Sequence, residues 1–317
     1  MTTTSLRTLL SESLDYAGLF PPAELSLETS IRNYLIYRSH PQSWMLARFV
    51  CPVARLTELD TLISKELPGG SIRLTVMGRS DKPPDIPLLG FDGIAAGTEQ
   101  NKRLRIEGFE ARLPSAYAPS DAMALIEAQE KRRPEHSAIA VFLERPCKGM
   151  LIREFAQAAN QSLANRKSAV RLGWKVRLGG NDPSTIPSPH GLADFVVACR
   201  EVGNNWKATA GLHQPLGAWD GGRRTFHFGF LSLFAATVLA HVHELGAEQI
   251  EEILQETDIG HFRFDDDHFA WRNLSADNQQ IAAARKNSLV SFGSCTFEEP
   301  IEGLKQLNLL ESGTDHE

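Results

Sequence analysis

Strand-like and helix-like periodicities alternate along almost the whole of this 317-residue chain, and that alternation constrains its fold more than any other feature. Runs of alternating apolar and polar residues read as strands, and runs with apolar residues three and four apart read as helices. After an N-terminal helix over Ser5–Leu14 and a short apolar run from Tyr16 to Phe20, the reading is helix Glu28–Tyr37, strand Trp44–Val50, helix Leu56–Leu67 and strand Ser71–Met77. It continues through strand Arg105–Leu113, helix Ser120–Lys131, strand Ser137–Glu144, helix Lys148–Ala164 and strand Val170–Leu178. Helix His190–Glu201, strand Asn205–Ala210 and a long helix after His227 follow. Phe262-Arg-Phe264 could serve as the last strand, but Leu289–Ser294 after a helix over Ser275–Lys286 fits the repeating order better, which makes Phe262–Trp271 an extra excursion. Lys82–Gly97, rich in Pro and Gly, reads as a loop insertion over the site.

Sustained alternation implies a parallel sheet, and about eight units imply closure into a barrel. The expected fold is therefore α/β: a single (β/α)8 TIM-type barrel over residues 1–317, with an N-terminal helix and loop insertions. The chain is long enough for one such domain. Lys+Arg number 33 against 39 Asp+Glu, with no basic block, so nucleic acid is not an expected partner. The most apolar stretch, Phe226–Val242, is interrupted by Gly229, His227 and His241, and reads as a buried helix, with no membrane partner. Four scattered cysteines without a C-x-x-C pair, and an N-terminus without a signal-peptide pattern, give a cytoplasmic expectation. A homo-oligomer is left open.

Successive strand side chains point to opposite faces. In Arg171–Leu178, Leu172, Trp174, Val176 and Leu178 share one face, and Arg171, Gly173, Lys175 and Arg177 the other. The next strand repeats this, with Trp206 and Ala208 opposed to Lys207 and Thr209. Apolar faces pack on the helix ring, so Lys175, Arg177 and Lys207 are expected inside the barrel. The two lysines are 32 positions apart, one strand–helix unit, and are expected to meet. Arg73, Arg48, Glu110 and Glu144 are candidates from other strands. With two carboxylates against several cations, the cavity is expected to be net positive and to take a small anionic substrate. Strand-end ion pairing is the plainer reading of any single member.

A lysine beside a second cation in a dry pocket becomes nucleophilic at neutral pH and can form a Schiff base with a carbonyl. Two lysines binding phosphate as point charges are the alternative. His213, after a strand end, and His227 are candidate general acids or bases. Gly293-Ser294, after the last strand, matches the place where barrels hold phosphate on backbone N–H groups. Asp15-Tyr16 could close the pocket at the first strand or merely pack it. His241 and His243 lie about 200° apart on a helix, a poor chelate, and Asp265-Asp-Asp-His268 reads as a solvated turn.

The strings Val-Phe-Leu-Glu144, Trp-Lys175-Val-Arg-Leu-Gly-Gly180 and Asn-Trp-Lys207-Ala-Thr-Ala-Gly211 resemble the fifth to seventh strands of deoxyribose-phosphate aldolase-like class I aldolases. The resemblance covers about a quarter of the chain. It implies a (β/α)8 barrel, with Lys175 as the Schiff-base lysine and Lys207 as the group lowering its pKa. Arg177 departs from the family pattern, and Leu212-His213-Gln214-Pro215 stands in place of its glycine-rich phosphate turn. The segments Ala17–Pro22, Lys207–His213 and Phe292–Pro300 also look like a bacterial family whose members are mostly called hypothetical, which implies no activity.

The expected function is thus an aldolase- or lyase-like enzyme acting on a keto acid or sugar phosphate. Lys175, Lys207, Glu144 and His213 would be catalytic. Arg177, Arg73, Glu110, Arg48, Thr209, Gly293 and Ser294 would bind substrate. No cofactor is required. The alternatives are a divalent metal on His213, Glu144 and His227, or a non-catalytic barrel that binds an anion.

Overall fold

The computed structural model describes residues 2–78, 103–112, 139–144, 149–163, 170–180, 186–222 and 224–311. The helix expected at Ser120–Lys131 and the loop insertion at Lys82–Gly97 lie outside them. Eight parallel strands close into a barrel: β1 (Leu14–Tyr16), β2 (Leu46–Pro52), β3 (Ile72–Met77), β4 (Leu104–Arg112), β5 (Ile139–Glu144), β6 (Val170–Arg177), β7 (Asn205–Thr209) and β13 (Leu289–Ser294). Each pairs with its predecessor, and β13 closes the ring between β7 and β1. The (β/α)8 TIM-type barrel expected from alternation is the fold observed.

Around the barrel lie α1 (Thr4–Leu10), α2 (Leu27–Tyr37), α3 (Leu56–Glu66), α4 (Gly149–Leu163), α5 (Pro189–Val202), α6 (Phe230–His243), α7 (Ala247–Leu254), α8 (Asn278–Lys286) and α9 (Glu298–Gln306). Local signals set several ends. Ser188 caps α5 by accepting the Gly191 N–H, Pro189 opens its first turn, and Gly203 closes it at φ 68°. Asp277 and Gln280 form a reciprocal capping box on α8. In α6, every residue from Phe230 to Ala240 is buried. Phe230 stacks on Phe292 of β13 with ring centroids 5.1 Å apart. No helix among the described residues is long and apolar enough to cross a membrane.

Two antiparallel excursions decorate the ring: a hairpin of β8 (Ala218–Asp220) and β9 (Thr225–His227), and a sheet of β10 (Phe262–Phe264), β11 (His268–Trp271) and β12 (Leu274–Asp277). The second confirms that Phe262–Trp271 stands outside the repeat and that Leu289–Ser294 is the closing strand. The Asp265 carboxylate in it accepts the N–H groups of Asp267 and His268, and Asp266 accepts the Thr4 N–H, so this acidic run is a turn pinned to α1.

The N-terminal helix is shorter than expected. It ends at Leu10, Glu12 turns with φ 49° and donates its N–H to the Trp44 carbonyl, and Leu14 already belongs to β1. Pairing with strands on both sides outweighs the helical periodicity through Leu14.

Candidate functional site

Two tryptophans decide which way the site lysines face. Trp174 and Trp206 are directly opposite each other on β6 and β7. Each ring meets a helix edge-on: Trp174 on Phe155 of α4 at 6.0 Å, and Trp206 on Phe195 of α5 at 5.3 Å. With both indoles buried among the helices, strand alternation sends the next residues, Lys175 and Lys207, to the interior. They are in register with each other, and only 4% and 2% of their respective surfaces are exposed. Gly173, the preceding inward position on β6, makes room for Phe142. A Cβ there would lie 2.7 Å from the Phe142 ring and 2.8 Å from the Asn205 carbonyl. The Phe142 ring in turn sits 5.3 Å from the Lys207 ammonium.

The interior is a chain of alternating charges. Lys207 Nζ contacts Asp15 Oδ2 at 2.5 Å and is also ion-paired with Glu110 Oε1. The second oxygen of Glu110 lies 2.7 Å from Lys175 Nζ, so this one carboxylate joins the two lysines. Lys175 continues to Glu144 at 3.2 Å, and Glu144 to Arg177 Nε at 3.3 Å. Arg177, the last residue of β6, is 42% exposed at the C-terminal mouth and is the part of the chain open to a solute. Asp15 is held from the other side by the Arg48 N–H at 3.1 Å, the Arg48 guanidinium at 3.5 Å and the Ser291 hydroxyl at 2.9 Å.

The electrostatics follow from this order. Burial pushes the Glu110 carboxyl up, but the ammonium charges and hydrogen bonds of Lys175 and Lys207 prevail and hold it at about 2. Glu144 is likewise lowered: Lys175 and Arg177 outweigh its burial. Burial pulls Lys175 down, yet Glu110 and Glu144 together leave its pKa above the ordinary lysine value. The resting Lys175 is therefore an ammonium ion. A lysine depressed by its neighbour was expected, but a carboxylate stands between the two cations. The interior also contains Asp15, so three carboxylates face Lys175, Lys207 and Arg177, and among the described residues the expected excess of positive charge is absent.

The structure brings Lys175, Lys207, Glu110, Glu144 and Arg177 together. Thr209 and Gly293 stand at the same level, since Thr209 pairs with both Arg177 and Gly293. The glycines after β6 and β7 let those two strand ends meet. A Cβ on Gly179 would come within 2.7 Å of Gly211, which itself has φ 74°.

Arg48 and Arg73 are not at this mouth. They stand near the starts of β2 and β3, where both bind Glu107, and Arg73 also grips Glu12, which precedes β1. Ser294 shares the helix-facing side with Phe292 and accepts the Thr296 N–H at 3.4 Å. His213 Nδ1 is 2.7 Å from Glu299 of α9, and His227 is 3.2 Å from Asp220 within the hairpin. Among the described residues, no group of three or more His, Cys, Asp or Glu side chains is arranged to hold a metal ion.

Asp15 and Thr75 were not singled out from sequence as partners of Lys207, nor Ser291 as a donor to Asp15. The available signal was a lone acid between Leu14 and Tyr16 in an apolar run.

Fold and site together define an all-parallel α/β barrel whose interior, usually filled by branched apolar side chains, here carries a neutralised row of ionic groups. No family model matches the chain, and no curated protein matches it.

Proposed function

We propose that the barrel is an aldolase- or lyase-like enzyme that condenses Lys175 with the carbonyl of a small anionic keto acid or sugar phosphate. The observation behind this reading is the buried Lys175–Glu110–Lys207 bridge placed directly below an exposed arginine. Arg177 would take the substrate's carboxylate or phosphate, drawing its guanidinium away from Glu144. Glu144 would then accept a proton from the Lys175 ammonium. The free amine attacks the carbonyl carbon, Glu144 returns the proton to the carbinolamine oxygen, and water leaves as the imine forms. Glu144 suits this role better than Glu110, which is clamped between two ammonium groups. Lys207 holds Glu110 ionised, so the imine nitrogen that replaces the Lys175 charge keeps an anionic neighbour.

Reduction with borohydride in the presence of a panel of keto acids and sugar phosphates tests the reading. A mass increase mapped to Lys175, absent from Lys175→Ala, is the expected result. Unchanged mass across the panel counts against it. The complete ion pairing of Lys175 favours one rival, a barrel that binds an anion at Arg177 without turnover. That rival is the outcome if ligands raise the melting temperature and no adduct forms.

A further inference from the structure

A cationic surface lies at the end of the barrel opposite the mouth. Between α1, α8 and the start of β13 the chain forms an open cleft of about 520 Å³, lined by Arg7, Thr8, Ser11, Glu12, Arg48, Ala282, Arg285, Lys286 and Val290. Four lining residues are cationic, and the one carboxylate, Glu12, is already engaged in a two-point contact with Arg73. Arg48 is neutralised by Asp15 and Glu107. Arg7, Arg285 and Lys286 form no ion pair with any carboxylate among the described residues. Arg7 lies over the Trp44 ring, and Arg285 spends its donors on the carbonyls of Leu9, Ser11, Leu289 and Val290. Burial pulls the Arg285 pKa down to about 10, against the opposing pull of the Glu12 carboxylate.

We infer that this cleft is a binding site for a small phosphate-bearing anion, separate from the barrel mouth. Arg7 and Lys286 are exposed and Arg285 is partly buried where the three line one concavity, and a polyvalent anion there would gain charge-assisted contacts that no carboxylate ion pair among the described residues already supplies. Phosphate is the favoured class. Its charge matches the unpaired cations, and the Thr8 and Ser11 side chains at the rim suit its several acceptor oxygens. The site sits at the face that rarely carries catalysis in barrels, so its occupant is an effector or structural ligand and does not enter the lysine site. Arg48 joins the two regions: it lines the cleft and also touches Asp15, whose other oxygen binds Lys207.

Calorimetric titration of the full-length protein with inorganic phosphate, against sodium chloride at equal ionic strength, tests the inference. Phosphate is expected to bind with a dissociation constant of about a millimolar or tighter. The affinity should fall by about tenfold or more in the Arg7→Gln/Lys286→Gln double variant. Ala282→Glu, which adds an anion at an exposed lining position and removes no contact, should weaken it similarly. The same titrations in the Arg177→Gln background, which removes the anion ligand proposed for the mouth, should still show binding and the same loss in both cleft variants. Circular dichroism without phosphate checks that each variant is folded. Absence of phosphate binding in the Arg177→Gln background, or binding there indifferent to both cleft variants, would each overturn the inference.

Discussion

Glu110 is the residue on which the interior depends, because it is the only carboxylate among the described residues that is shared by both lysines. Its pKa is about 2 in the folded protein and would return to about 4.5 in the unfolded chain. A lowered carboxyl pKa contributes stability above the unfolded value, and that contribution is lost as pH falls toward the folded value. Between pH 7 and pH 3 the loss from this one group is roughly 2 kcal/mol. Glu110→Gln leaves two buried ammonium ions short of a partner and is expected to cost about 3–5 kcal/mol at neutral pH. Urea unfolding at the two pH values separates this from other acids. The gap between wild type and Glu110→Gln should narrow by about 2 kcal/mol on acidification, and a constant gap contradicts the bridge. Lys175, with its raised pKa, acts in the opposite direction: its contribution is complete below the ordinary lysine value and disappears only as pH rises above it.

At the scale of elements, β6 and β7 behave as one unit. Their tryptophans anchor the outer faces, their lysines meet inside, and Gly173 keeps the Phe142 ring between the strands and the cavity. Gly173→Ala would press a methyl group into both that ring and the Asn205 carbonyl. Overpacking of this kind costs about 1–3 kcal/mol. It should appear as a lower denaturation midpoint with an unchanged slope, and a neutral variant would show that Phe142 is free to move aside. The inward face of these strands was legible from alternation alone. The height of each side chain was not. Arg48, Arg73 and Arg177 read alike as inward cations, yet two of them are at the floor and one at the mouth. Period reports the face of a strand, whereas the stagger set by barrel closure decides the level. Their places near the start and the end of their strands carried that information.

For the whole molecule, closure depends on joining the first and last segments of the chain. The Arg285 guanidinium on α8 reaches the carbonyls of Leu9 and Ser11 near the N-terminus and of Leu289 and Val290 in the last strand, beneath the Phe234 ring at 4.5 Å. Removing it strands several carbonyls at the seam between β1 and β13. Arg285→Met keeps most of the apolar stem and is expected to lose about 2–4 kcal/mol, from unpaired carbonyls at 1–3 kcal/mol each partly regained by water. Hydrogen exchange should show the loss first at β1 and β13, and protection unchanged there would remove Arg285 from the closure mechanism.

The sequence by itself determined the class of fold, the closing strand at Leu289–Ser294 and the shared orientation of Lys175 and Lys207, because each is written in local periodicity. Only the tertiary structure decided what those lysines touch. β1 is three residues long, too short for a pattern to declare itself, and it follows a helical run that extends through Leu14. Asp15 therefore became a partner of Lys207 only when β1 was inserted between β2 and β13. The sign of the Lys207 charge is local information, but its partner Glu110 lies 97 positions away along the chain, and folding alone brings the two together.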